Sequence, residues 1–74
     1  MLTDDDIRAA IREVVAGFDA ATLRADQTFK DAGIDSLDSI NILLAIEEAH
    51  DVHIPDEDVK QCDSIGAILA YVNR

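Results

Sequence analysis

The chain has one cysteine, one proline, three glycines and no tryptophan, and only six of its 74 residues are Lys or Arg. Each shortage excludes something. A lone Cys62 can form no intrachain disulfide, so no covalent staple holds the fold and nothing calls for an oxidising compartment. Little Gly and Pro, with no low-complexity run, argues against disorder. No apolar run approaches the roughly 20 residues of a membrane-spanning helix. The first residues, Met1-Leu2-Thr3-Asp4-Asp5-Asp6, are acidic where a secretory leader is basic, so the protein is expected in the cytoplasm and not inserted in a membrane. Scarce cations and few aromatics leave no basic-aromatic interleaving for nucleic acid, and no glycine-rich cradle for phosphates is present.

What the chain does have is acid and apolar residues. Its formal net charge is -10 and its hydrophobic fraction 49%. From Asp31 to Val59 nine carboxylates (Asp31, Asp35, Asp38, Glu47, Glu48, Asp51, Asp56, Glu57, Asp58) stand with no Lys or Arg among them. Such a surface repels nucleic acid and anionic lipid. It serves equally as a solubilising face and as a field that steers basic partners. At this length we expect one domain, residues 1–74, with room for a core but not for a deep catalytic cleft as well. The expected class is all-α: a small four-helix bundle of three longer helices and one short third helix, with a long loop between helices 1 and 2.

Thr3 followed by Asp6 makes an aspartate version of a capping box, and Ile7, Ala10, Ile11, Val14 and Val15 recur on one helical face until Gly17. A first helix over about residues 3 to 16 follows. From Gly17 to Asp35 no period is sustained, and Phe18, Leu23, Phe29 and Ile34 are the expected anchors of a long loop. The second helix runs from Ser36 to about His50. At about 100° per residue, Ile42, Ile46 and Ala49 cluster on one side with Leu43 and His50 beside them, which makes that side the core face. Leu37, Ile40 and Leu44 fall nearly opposite, flanked by Asn41, Glu47 and Glu48. Three large apolar residues in line with an acidic rim read as a partner-docking stripe; the alternative is that a neighbouring loop covers them. Val52 and Ile54 then turn inward from an extended connection, Asp56 caps a short helix to about Gln61 in which Val59 and Cys62 face the core, and Ser64 begins a last helix that buries Ile65, Ile68, Leu69 and Val72.

The serine at the start of the second helix is the best lead to function. Gly33 relaxes the backbone before it, and both Asp35 and Ser36 suit a helix start. A serine hydrolase elbow would need glycines where Ile34 and Asp38 stand, and His50 lies about 21 Å of helical rise from Ser36, so hydrolysis is rejected. His50 and His53 with Asp51 give at most a partial metal ligand set. A calcium loop from Asp31 puts Ser36 where the EF-hand turn needs glycine.

The run Phe29-Lys30-Asp31-Ala32-Gly33-Ile34-Asp35-Ser36-Leu37-Asp38-Ser39 resembles the prosthetic-group attachment region of acyl carrier proteins. Ala45-Ile46-Glu47-Glu48 is similar to the acidic end of their recognition helix, and Ile54-Pro55-Asp56 to the turn into their short third helix. The resemblance covers nearly the whole chain. It implies that Ser36 accepts 4'-phosphopantetheine from coenzyme A through a separate magnesium-dependent phosphopantetheinyl transferase, and that the arm's thiol carries acyl groups as thioesters. It implies that the protein is a monomer, holds no metal and catalyses nothing. Asp35 would present the serine and the metal to the transferase, with Asp38 the second choice and Leu37 beside the arm; Ser39 is a rival acceptor on the core side. Acyl-loading and acyl-processing enzymes with basic patches would dock on Leu37, Ile40, Asn41, Leu44, Glu47 and Glu48, and the acyl chain would shelter between the helices. Two positions depart from the fatty-acid carriers: Asn41 stands where glutamate is common, and His50 where a core phenylalanine is usual. They leave the cargo open between fatty acyl, polyketide, modified lipid and aminoacyl groups. The rival from another class is an acidic helical module that binds partners without a prosthetic group.

Overall fold

The structure is a computed structural model and describes residues 1–73. Three α-helices carry it: α1 (Asp4–Val14), α2 (Ser36–His50) and α3 (Ile65–Val72), with 3₁₀ turns at Ala20–Thr22 and Asp56–Gln61. The described residues form no strand, only an isolated antiparallel bridge between Thr28 and Ser64. This is the small helical bundle expected from the sequence, with the short third helix wound as 3₁₀ and one further 3₁₀ turn inside the long loop.

Helix α1 starts as its sequence dictates. Thr3 sits at the cap with extended backbone; the Asp6 N–H donates to Thr3 Oγ1 (3.4 Å) and the Thr3 N–H to Asp6 Oδ2 (2.9 Å). The Thr3 N–H bond, and less strongly the Thr3 hydroxyl donating to the same Asp6 Oδ2 (3.2 Å), hold the Asp6 carboxyl below the usual range, with a smaller contribution from His50. The helix ends at Val14, two residues before the expected limit, because the chain already leaves helical geometry at Val15 and turns at Gly17, whose φ is +85°.

The core is one cluster built from all three helices and the loop: Ile7 and Ile11 from α1, Ile42, Leu43 and Ile46 from α2, Ile65 and Ile68 from α3, with Leu23, Phe29, Ile34, Ile54 and Cys62 between. Three of the four expected loop anchors are buried; Phe18 is only half-buried against the cluster, and Ala20 takes the inward position beside it. Cys62 is a small core residue. Leu69 and Val72 are partly buried against the same cluster.

Two expectations about α2 and the following turn need correction. Ala49, placed on the core face, is exposed. In the last turn of α2 it is His50, half-buried in a hollow with Leu2 and Asp6, that meets the neighbouring residues, and Ala49 is left in solvent. Asp56 does not cap the short helix: Pro55 holds the cap position, makes no side-chain cap bond, and Asp56 lies within the first turn. Proline fixes the extended entry by its ring, so no side-chain cap is required to set the chain's direction.

The long loop is pinned by distant groups. The Arg8 guanidinium donates to the backbone carbonyls of Ala20 and, at 2.6 Å, of Leu23. The Phe29 N–H donates to the Asp63 carbonyl (2.8 Å) and the Gly66 N–H to the Ala25 carbonyl (2.8 Å), which hold the loop against the start of α3. Together these bonds fix the segment that leads into α2, and so the direction from which Ser36 is offered.

Candidate functional site

The turn before α2 is built from one glycine and one aspartate. Gly33 has φ +86°, a left-handed conformation that costs a residue with a Cβ roughly 1–2 kcal/mol. Just before it the chain folds back: the Gly33 N–H donates to the Lys30 carbonyl (3.1 Å) and the Ile34 N–H to the Phe29 carbonyl (2.9 Å). Asp35 is the residue that caps α2, and its Oδ1 accepts from the Asp38 N–H at 2.8 Å. Ser36 is therefore the first helical residue, not the cap. Its side chain is exposed, and among the described residues its hydroxyl makes no hydrogen bond. Ser39 differs: it is half-buried and donates to the Asp35 carbonyl at 3.0 Å.

This start leaves donors unspent. Asp35 takes up the Asp38 N–H with its carboxylate and the Ser39 N–H with its carbonyl, so the N–H groups of Ser36 and Leu37 face outward at the positive end of a 15-residue helix. An oxyanion attached to the Ser36 hydroxyl is favoured there.

Beside Ser36 opens a groove of about 690 Å³ between α2 and the Asp56–Gln61 turn. Phe29, Ile34, Ile40, Leu43, Val59 and Cys62 give it apolar walls. The sequence signals its walls only weakly, because they come from three separated segments.

Along the outer side of α2 the second apolar stripe is uncovered: Leu37 is 66%, Ile40 45% and Leu44 48% exposed, whereas Ile42 and Ile46 on the core side are 0%. Among the described residues no loop folds over it. Asn41 and Glu48 are exposed beside it. Glu47 is half-buried, with its carboxylate 3.6 Å from His53 Nδ1. The acidic rim is thus split, Glu48 facing solvent and Glu47 engaged with the following turn. His50 lies half-buried away from Ser36, in a separate hollow shared with Leu2, Asp6, Val52 and Asn73. Asp38 is half-buried in the first turn of α2.

Known proteins resemble the chain along nearly its whole length. Residues 5–72 match the family model described as a phosphopantetheine attachment site. An acyl carrier protein of Akkermansia muciniphila is 30% identical, the alignment covering 99% of this chain and 96% of that protein. One of Helicobacter pylori is 36% identical over 92% of this chain and 87% of its own length. A mitochondrial acyl carrier protein of Dictyostelium discoideum is 33% identical over 99% of this chain and 63% of that protein. With an exposed serine at the head of its longest helix and a match along nearly its whole length, the chain belongs to the phosphopantetheine-binding family of acyl carrier proteins, which work through a covalently held 4'-phosphopantetheine.

Proposed function

We propose that Ser36 is the hydroxyl that receives the arm and that residues 1–74 act as one carrier domain. The observation that carries this is the state of Ser36: exposed, unbonded among the described residues, at the first position of α2 and on the lip of an apolar groove. Ser39 is a poor rival, since its hydroxyl is engaged with the Asp35 carbonyl. The residues present fit the group. Outward N–H groups at the head of α2 receive a phosphodiester, and the apolar walls accommodate what hangs from it.

When bound, the arm supplies a flexible terminal thiol that holds cargo as a thioester. The chain's own residues do the rest. Ser36 loses its hydroxyl proton and gains a bond to phosphorus, in exchange for the nucleotide leaving group of coenzyme A, within the site of a separate transferase that uses Mg²⁺. Asp35 fixes the turn through its bond to the Asp38 N–H, and its second carboxylate oxygen makes no bond among the described residues, so it can face the transferase's metal. Asp38 adds negative charge beside it. The protein catalyses no step itself.

Enzymes that load and process the cargo dock on Leu37, Ile40 and Leu44, with Asn41, Glu47 and Glu48 as the rim. Charge brings a basic patch to this face and apolar contact holds it briefly. The apolar groove favours an acyl chain over a polar aminoacyl group, and fatty acid synthesis is the typical setting for such a carrier. The compartment we assign is the cytoplasm.

Incubation with coenzyme A, Mg²⁺ and a phosphopantetheinyl transferase tests this reading by intact mass. One added arm is expected, mapped by peptide sequencing to Ser36. An arm on Ser39, or none with several transferases, overturns it.

A further inference from the structure

The chain has only two lysines, Lys30 and Lys60, and they bracket the long acidic run on either side. Both line the groove that Ser36 also lines, Lys30 from the loop before α2 and Lys60 from the Asp56–Gln61 turn. Two of the arginines are already engaged, Arg8 with Asp4 and two backbone carbonyls and Arg24 with Asp26 at 2.9 Å, and Arg12 does not line the groove. Neither lysine forms an ion pair among the described residues. Three carboxylates, Asp35, Asp56 and Asp63, share the lining, and Asp35 is occupied in capping α2.

We propose that Lys30 and Lys60 attract the phosphodiester of the Ser36-linked arm and fold the arm over the groove, which rests on Ser36 being the attachment site. A phosphodiester at Ser36 brings a further negative charge to a lip that already has Asp35, Asp56 and Asp63, with Asp31 and Asp38 close in sequence. Without a counter-charge the arm is repelled from the groove and extends into solvent. Among the described residues the two lysines supply the only side-chain cations on the lining, one from each of two segments that wall it, and an ammonium is a compact point charge suited to phosphate. The outward N–H groups of Ser36 and Leu37 supply further donors to the same phosphate. The folded state lays the arm on Ile40, Leu43 and Val59. A docking partner with a basic patch competes for the phosphate and releases the arm, so docking and presentation of the thioester are coupled.

The test uses the full-length holo-protein, its single arm first verified by intact mass, and compares wild type with the double variants Lys30→Gln/Lys60→Gln and Lys30→Arg/Lys60→Arg. Circular dichroism checks that these exposed changes leave the fold intact. In wild type the ³¹P resonance of the phosphodiester is expected to shift between low and high salt, and arm protons to show contacts to the methyls of Leu43 and Val59 that fade at high salt. The glutamine pair is expected to lose both signatures and the arginine pair to keep them. Arm contacts and a ³¹P salt response in the glutamine pair equal to wild type would overturn the proposal; so would an arginine pair that behaved like the glutamine pair, since charge would then not be what holds the arm. Failure of wild type to gain the arm at Ser36 shows at the mass step, before any resonance is read. It refutes the attachment site itself and removes the ligand on which the lysines are proposed to act.

Discussion

Removing the exposed stripe of α2 should abolish docking while the chain stays folded, and the size of both effects follows from burial. Full burial of a Leu or Ile side chain stabilises by about 1.5–3 kcal/mol. Leu37, Ile40 and Leu44 keep 66%, 45% and 48% of their surface in water, so roughly half of that value, about 1 kcal/mol each, is left for a partner to gain. Each single change to Ala should lower kcat/KM for arm transfer by about 5-fold, and the triple change by about 10²-fold if the three contributions add. Stability should fall by only about 1 kcal/mol for each single change, since the buried part of each side chain is lost while the helix propensity of Ala recovers a few tenths. The control is on the other side of the same helix. Ile46→Ala, at a position with 0% exposure, should lose about 2–5 kcal/mol, a large part of what a domain this small has in total. Steady-state kinetics with a phosphopantetheinyl transferase, paired with urea denaturation of every variant, reads both quantities. A triple variant loaded at the wild-type rate, or a single variant of the stripe destabilised as much as Ile46→Ala, would refute the assignment of this face to docking.

Three further changes probe how the site is held. Gly33→Ala should lower stability by roughly 1–2 kcal/mol, because nothing crowds the position but its φ of +86° strains any residue with a Cβ; urea midpoints measure it. Arg8→Ala should cost about 2 kcal/mol through the loss of two charged hydrogen bonds to Ala20 and Leu23, and hydrogen exchange should rise first in the Ala20–Thr22 turn. Asp6 has its pKa lowered below the ordinary 3.8, chiefly by the Thr3 backbone bond. The sign follows: the folded state binds fewer protons, so this stabilisation is present above about 3.8 and fades as pH falls through the lowered folded value. Asp6→Asn should therefore flatten the acid limb of a plot of stability against pH, and an unchanged limb would rule out the capping bond as its source.

Local chemistry was legible in the sequence and distant pairing was not. Thr3 with Asp6, Asp35 before Ser36, and Ser64 before Ile65 each mark a helix start within a few residues of chain, and the helices begin where those residues stand. The two-sided pattern of α2 was legible too, since helical geometry alone separates Ile42 and Ile46 from Leu37, Ile40 and Leu44. Ala49 escaped because it lies at the edge of the core-facing arc, where a wheel does not say which neighbours are there to cover it. The Ala20–Thr22 turn, the Thr28–Ser64 bridge and the Glu47–His53 contact depend on partners that fold topology brings together, and no local period announces them. The groove beside Ser36 is of the same kind: most of its apolar walls looked like ordinary core positions, and Ile40 like part of the outer stripe, until three segments met around a space.

The most direct measurement compares the intact mass of wild type, Ser36→Ala and Ser39→Ala after incubation with coenzyme A, Mg²⁺ and a transferase. Wild type and Ser39→Ala should each gain one 4'-phosphopantetheine, and Ser36→Ala none. An arm on Ser36→Ala, or no arm on wild type with any of several transferases, would contradict the assignment of Ser36 as the carrier's attachment site.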